Sequence, residues 1–282
     1  MQGTLYLCAT PIGNLKDITE RVISTLKEVD LIAAEDTRNS IKLLNHFGIK
    51  TPMTSYHEYN RYDKAAVLLE KLKEGKDIAL ITDAGTPGIS DPGEVFVSMC
   101  KEEGIRVTSL PGACALITAL TMSGLKTGRF CFEAFLPSDK KERKEILEEL
   151  RSETRTIIIY EAPHHLRKTL KELRDALGNR NMAICRELTK QFEEVLHFTV
   201  SEAEEYYDVN EPRGEYVLCI EGRDREEVRQ EEQLSWQELT IEEHMKLYED
   251  RGMDRKECMK KVAKDRGISK REVYDALLAE VK

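Results

Sequence analysis

The sequence predicts an α/β protein with two α/β domains, a parallel sheet followed by a mixed one, and a small helix-turn-helix-like unit of three helices. Three observations predict it. Short continuous apolar runs alternate with amphipathic stretches over residues 1–124, the rhythm of parallel strands covered on both faces by helices. After Gly124 the strand-like runs crowd together with fewer helices between them, as in a mixed sheet. Residues 240–282 read as helices alone. The expected organisation is therefore 1–124 and 125–222 for the two α/β domains, 223–239 for a linker and 240–282 for the helical unit.

The elements follow in order. "TLYLCAT" (4–10) reads as a buried first strand; it lacks the basic lead and long apolar stretch of a signal peptide. "DITERVISTLKEV" reads as a helix with Asp17 as N-cap and Glu20 completing a capping box. "DLIAAED" is a second strand, "TRNSIKLLNHFG" a helix ending at Gly48, and "NRYDKAAVLLEKLKEG" a helix stopped by Gly75. "DIALITDAG", "DPGEVFVSMCKEEG", "RVTSLPG" and "ACALITALTMSG" then read as strand, helix, strand and a helix of small residues. Further on, "FCFEAFLP", "TIIIYEAP", "NMAICREL", "EEVLHFTV" and "EYVLCIEG" read as strands, with two solid helices near 140–150 and 164–177. The basic stretches "KKERKE" (140–145) and "RKTLK" (167–171) are expected as solvated faces of those helices. "RDREEVRQEEQ" (223–233) holds one apolar residue and reads as a solvated linker or an exposed helix. Ser269 is positioned to cap the last helix.

Charge and cysteine usage narrow the class. The net charge of −9 argues against a nonspecific nucleic-acid coat. Residues 251–282 carry a local +4, which leaves −13 on the rest: a basic tail on an acidic body. The seven cysteines form no CxxC or Cys/His ligand spacing, so buried reduced thiols in a cytoplasmic protein are expected, with no metal. No apolar window is long enough for a membrane span.

Function is sought at the carboxyl ends of the strands, where parallel sheets bind ligands. Three of those ends carry Gly/Pro-rich loops: "TPIGN" (10–14), "DAGTPGISDPG" (83–93) and "LPGACA" (110–115). Glycine allows positive φ and close backbone approach, and proline stiffens the turn. One such loop is ordinarily just a tight turn; three along one edge point to a small ligand held mainly by main-chain groups. GxxxxGK[ST], GxGxxG, HExxH and GxSxG are all absent, which excludes the usual phosphate, dinucleotide, zinc-protease and serine-hydrolase sites.

"TPIGNLKDIT", "AEDTR", "SYHEYN", "DAGTPGISDPG", "LPGACA", "RELTK" and "RGEYVLCIEG", in that order over residues 4–222, resemble the tetrapyrrole methylase superfamily and, within it, the branch that methylates ribosomal RNA. Relatives acting on corrins often carry a glycine-rich first loop where this chain has "ATPIGN". The resemblance implies a two-domain tetrapyrrole-methylase-like fold, a homodimer, and S-adenosyl-L-methionine as methyl donor in the cleft between the domains. It implies 2′-O-methylation of a cytidine ribose in the decoding region of 16S rRNA, within the 30S subunit. Carried over residue by residue, the donor pocket would use Pro11, Ile12, Asp83, Gly85, Thr86, Ile89, Ala113, Cys114 and Ala115 from the first domain. Tyr160, Glu161, Leu188, Gly214 and Glu215 would close it from the second.

A ribose hydroxyl is a weak nucleophile, so a base would help, and a cation could stabilise the developing alkoxide. Candidates crowd two loops: Glu35 and Arg38 in "EDTR", and His57 and Glu58 in "SYHEYNR". Glu35 and Asp36 could equally cap the next helix and pair with Arg38, and His57 and Glu58 could lie in a solvated loop or touch RNA. Lys190, Arg61, Lys270 and Arg271 are candidate RNA contacts. Two other functions stay open at this point: methylation of a corrin-like small molecule, and a ligand-sensing regulator that binds DNA through its helical tail.

Overall fold

A computed structural model describes residues 1–279, with the backbone alone at positions 232 and 279. The chain divides into two compact units, one of 1–151 with 156–221 and one of 152–155 with the chain from 222 onward.

The first unit contains two five-stranded sheets. In the first sheet, β1 (Thr4–Cys8), β2 (Leu31–Ala34), β3 (Met53–Ser55), β4 (Ile78–Ile81) and β5 (Arg106–Leu110) lie in the order β3-β2-β4-β1-β5, all parallel. β4 is central and buried throughout, which is why "IALI" is apolar without alternation. α1 (Glu20–Glu28) and α2 (Thr37–His46) cover one face, where Val22, Leu26 and Leu44 meet Cys8, Ile32 and Ile81. α3 (Arg61–Lys73) and α4 (Gly93–Glu102) cover the other, where Leu68, Leu72 and Phe96 meet Leu5, Leu7 and Leu80. Each fully buried Leu or Ile contributes roughly 1.5–3 kcal/mol, against at most about 1 kcal/mol for a surface ion pair, so the apolar faces set this arrangement.

The second sheet is mixed. β6 (Phe130–Phe135), β7 (Thr156–Glu161), β8 (Asn181–Arg186), β9 (Glu194–Thr199) and β10 (Tyr216–Ile220) run β6-β7-β10-β8-β9, with only β6 and β7 parallel. α6 (Lys140–Glu149), α7 (Pro163–Leu177) and α8 (Val200–Val209) cover the face bearing Ile157, Ile159, Ile184 and Leu218. The opposite face, with Ile158, Ala183, Cys185, Val217 and Cys219, is covered by Leu116, Ala119 and Leu120 of α5 (Ala115–Met122). The helix of small residues therefore follows the first sheet in sequence but packs on the second.

Several local expectations need correction. Asp17 does not cap α1. Ile18 is extended, so the chain leaves a short 3-10 turn before the helix starts, and Thr19 becomes the cap, accepting the Val22 N–H at 3.2 Å. The three-residue edge strand β3 is an addition to the four strands expected in the first domain. α8 adds a third helix to the second domain, started by a capping box in which Thr199 N–H meets Glu202 Oε2 at 2.7 Å. Within "KKERKE", Arg143 is not solvated: it is buried, with Nε on Glu172 Oε2 at 2.6 Å and Nη2 on Thr169 Oγ1 at 2.7 Å.

The second unit is a helical cluster. The stretch read as linker or exposed helix forms α9 (Arg225–Gln237), followed by α10 (Ile241–Glu249), α11 (Arg255–Arg266) and α12 (Lys270–Ala279). The three helices expected after position 240 are α10, α11 and α12, and α9 is the exposed-helix alternative for the stretch before them. Asp224, Thr240, Asp254 and Ser269 cap them, each accepting an N–H two or three residues on. Met245, Tyr248, Cys258, Val262 and Val273 form the core. No described helix is long and apolar enough to cross a membrane, and all seven cysteines are free thiols.

A histidine sits at the centre of this unit. His244 is fully buried, stacks on Trp236 at 4.0 Å, and accepts a hydrogen bond on Nδ1 from Arg266 Nε at 3.2 Å. Burial and then the Arg266 charge hold its pKa below the ordinary 6.5, while Asp265, 3.6 Å from Nε2, opposes them. The unfolded chain binds this proton more tightly, so the contribution is complete above about pH 6.5 and is lost as pH falls below it. Amide-exchange protection of α10 and α11 is expected to drop between about pH 7.5 and about pH 5.5, and His244→Phe to flatten the dependence. Wild-type protection that stays constant over that range would contradict this role.

Candidate functional site

The loops after β1 and β4 emerge side by side. The connection from β1 passes β4 to reach β2 over one face of the sheet, and that from β4 passes β1 to reach β5 over the other, so the two loops cross at the carboxyl edge, where parallel sheets bind ligands. Thr10 and Gly85 join the two loops by paired backbone hydrogen bonds of 2.9 and 3.1 Å. Gly85 has φ +88°, a conformation that favours glycine, and a Cβ there would lie 3.3 Å from Ile12 Cγ2. The rest of the β4 loop is fastened from within. Asp91 accepts the N–H groups of Gly88 at 2.8 Å and Gly93 at 2.7 Å, and Thr86 Oγ1 donates to the Ala113 carbonyl at 3.0 Å. Burial pushes the Asp91 carboxyl above its usual value.

The second sheet supplies the facing wall. Tyr160 is the penultimate residue of β7, flanked by the rings of Phe132 and Phe135 at 4.8 and 5.6 Å, and its hydroxyl accepts the Leu116 N–H at 3.1 Å. Burial pushes that phenol up to about 12, so it stays neutral. The Glu161 carboxylate turns away toward α7, where it accepts the Thr169 hydroxyl and the Ala162 N–H. Gly13 brings the first loop against the second domain: a Cβ there would lie 2.4 Å from Lys190 Cγ. Together these loops enclose a cavity of about 480 Å³, a size that suits a small organic ligand.

Residues 4–204 match the family described as Tetrapyrrole (Corrin/Porphyrin) Methylases. The chain belongs to the tetrapyrrole methylase family. Among its relatives is a Bacillus subtilis (strain 168) protein named Ribosomal RNA small subunit methyltransferase I, 49% identical over 274 residues, 97% of this chain and 94% of that one. A Synechocystis protein of the same name is 46% identical over 277 residues, 98% of each chain. Among solved structures, diphthine synthase matches with TM-score 0.63 at 13% identity, covering 78% of this chain and 90% of the other. Uroporphyrin-III C-methyltransferase from Thermus thermophilus, complexed with S-adenyl homocysteine, matches with TM-score 0.55 at 18% identity, covering 77% and 97%. These structures share the fold, a parallel sheet followed by a mixed one, and family membership makes the chain a methyltransferase.

In this tetrapyrrole methylase, most of the residues carried over from the family's donor pocket gather around the one cavity. Ile12, Asp83, Gly85, Thr86, Ile89, Cys114, Ala115, Tyr160, Glu161, Leu188 and Glu215 line it. Pro11, Ala113 and Gly214 do not: Pro11 faces a neighbouring cavity, Ala113 contributes its carbonyl to Thr86, and Gly214 packs against the Glu187 side chain. The sequence reading missed Thr82, Ala84, Ser90, Asp91, Phe135, Ala162, Pro163, Tyr216 and Val217. All sit within three residues of one that was named, apart from Phe135, whose signal was only its place at the end of a strand.

Of the four catalytic candidates, Glu35 alone lines this cavity; it accepts the Thr82 hydroxyl at 2.6 Å and the Asp83 N–H at 3.3 Å. Asp83 accepts the Asp36 N–H and Asn39 Nδ2, at 3.2 and 3.3 Å. Burial first, and the nearby Glu35 charge among other causes, raise its pKa. Arg38 is 87% exposed and engages Asp36 at 2.7 Å, holding that carboxyl at about 2 while Asp36 caps α2. The helix-capping alternative for this loop therefore describes Asp36, and Glu35 points to the cavity. His57 bonds with Asn60, and Glu58 pairs with Arg61 at 2.6 Å. Lys190 is held by Glu187 at 2.9 Å and Glu215 at 2.8 Å. Lys270 and Arg271 open α12, where Arg271 lies 3.9 Å from Asp275.

Proposed function

We propose that this chain transfers a methyl group from S-adenosyl-L-methionine to the 2′-hydroxyl of a cytidine ribose in the decoding region of 16S rRNA, within the 30S subunit, as a cytoplasmic homodimer. The observation that carries the reading is the near full-length identity to proteins named Ribosomal RNA small subunit methyltransferase I, which extends through the helical unit with its basic segment 251–282. A corrin methylase has no evident use for that unit, and the family and the names of these relatives favour a methyltransferase over a ligand-sensing DNA-binding regulator.

The cavity residues fit such a donor. Ile12, Leu188, Phe135 and Tyr160 offer apolar and aromatic surface for a flat base, and the loop backbones offer polar groups. Glu35 and Asp83 place carboxylates where a cationic sulfur and an ammonium group gain from them. When bound, the donor supplies a methyl group already attached to a good leaving group, so alignment dominates and is worth on the order of 7–11 kcal/mol. The fastened β1 and β4 loops provide that alignment. A base adds roughly 10²–10⁴-fold, and the place of Glu35 in the cavity lining, beside Asp83, supports it over Arg38, His57 and Glu58 for that role. Arg61, Lys270 and Arg271 remain the proposed phosphate contacts.

The test is incubation of tritiated donor with 30S particles, free 16S rRNA or buffer alone. Label is expected in 16S rRNA of the 30S particle, on a cytidine ribose. Label found only in small metabolites, or none in RNA, would sink the reading.

A further inference from the structure

A second cavity of about 340 Å³ adjoins the first and shares Thr82 and Asp83 with it. Its floor is the first loop, including Thr10 and Pro11, and its side is one face of α2. Asn39, Lys42, Leu43 and His46 are spaced at i, i+3, i+4 and i+7, so they form a single stripe along that helix.

The stripe is graded in chemistry. At its start, Asn39 holds the Asp83 carboxylate at 3.3 Å, beside the donor cavity. Lys42 lies roughly 4.5 Å further along the helix axis and His46 roughly 10 Å, at 1.5 Å per residue. Both are exposed, and neither has a carboxylate partner among the described residues. Every other cationic candidate named at this edge is committed: Arg38 to Asp36, Arg61 to Glu58, and Lys190 to Glu187 and Glu215. The pocket thus has an acceptor at the end facing the donor and uncommitted donors at the far end. Pro11, Leu15 and Leu43 give it apolar sides.

We propose that this second cavity is the acceptor subsite, seating one ribose–phosphate unit with its sugar hydroxyls toward Asp83 and its phosphate toward Lys42 and His46. The proposal deepens the ribosomal RNA reading and rests on it for the choice of a nucleotide. A hydroxyl gains from the carboxylate acceptor, and a phosphate gains from charge-assisted donors. The reverse orientation would set phosphate against Asp83. The wall common to both cavities places the sugar next to the donor, the contact that methyl transfer needs.

The test is binding of cytidine 5′-monophosphate to the full chain saturated with S-adenosylhomocysteine, followed by NMR, for wild type and the Lys42→Ala/His46→Ala double variant. Both positions are exposed, so the variant is expected to fold. The nucleotide is expected to bind alongside S-adenosylhomocysteine, and the double variant to weaken it roughly tenfold with S-adenosylhomocysteine affinity unchanged. No nucleotide binding, displacement by S-adenosylhomocysteine, or equal binding by both proteins would overturn the subsite. The two readings fail separately. Nucleotide binding that depends on Lys42 and His46, with 30S particles left unlabelled, keeps the subsite and removes the ribosomal substrate. Equal labelling of 30S by both proteins, with equal KM, removes the subsite alone.

Discussion

Gly85→Val is expected to lower donor affinity at least about 100-fold in calorimetry while leaving the far-ultraviolet circular dichroism unchanged, a loss of about 2.7 kcal/mol. Two causes add. A β-branched residue at φ +88° is strained by roughly 1–3 kcal/mol, and its Cβ would lie 3.3 Å from Ile12 Cγ2 and 3.6 Å from the Ala113 carbonyl. Relief requires the loop to pull away from Thr10, breaking the paired hydrogen bonds that hold the β1 and β4 loops together. The strand beneath is fully buried on its own account, so the damage stays in the loop. Asp83→Ala tests the same cavity from its charged side. If both variants bind donor as the wild type does, the donor does not occupy this cavity.

Arg143→Ala is expected to destabilise the α/β unit by about 1–3 kcal/mol, the usual cost of leaving hydrogen-bonding groups unsatisfied, because Glu172 is partly exposed and keeps Lys168 at 3.6 Å. For a unit of this size that corresponds to a fall in Tm of roughly 2–12 °C. The Arg143 side chain is 9% exposed. Besides Glu172 and Thr169, it reaches the Leu136 and Pro137 carbonyls at 3.4 and 3.5 Å, so truncation strands several groups at once. Thr169 in turn donates to Glu161 at the cavity wall, so donor affinity is expected to fall as well. Lys141→Ala is the control: Lys141 is exposed and 3.8 Å from Glu145, a pair worth close to nothing. Equal melting of the two variants would show that Arg143 contributes no more than a surface charge.

These residues mark how far the sequence could be read. Gly85 was legible, because a glycine in a Gly/Pro loop directly after a buried strand has few other uses. Arg143 was not. It lies between Glu142 and Lys144 in a run that looks solvated by composition, and its burial comes from Glu172 and Thr169, more than twenty residues away. Asp17 looked like a helix cap by spacing, but the extended Ile18 moved that role to Thr19. Glu35 and His57 were both candidates for proton transfer, since both sit in charged loops at the same sheet edge. Only Glu35 meets Thr82 and Asp83 of the neighbouring strand end.

By itself the sequence determined most of the strands and helices, though not β3 or α8, the sheet edge on which the Gly/Pro loops gather, and the family. Apolar period, caps and turn residues are properties of neighbours along the chain, and they survive without knowledge of what packs on what. The tertiary structure alone decided that α5 covers the second sheet, that Lys190 is neutralised by two carboxylates, and that Asp83 stands between two cavities. Each of those depends on groups distant in sequence and adjacent in space, and a local pattern carries no information about such pairings.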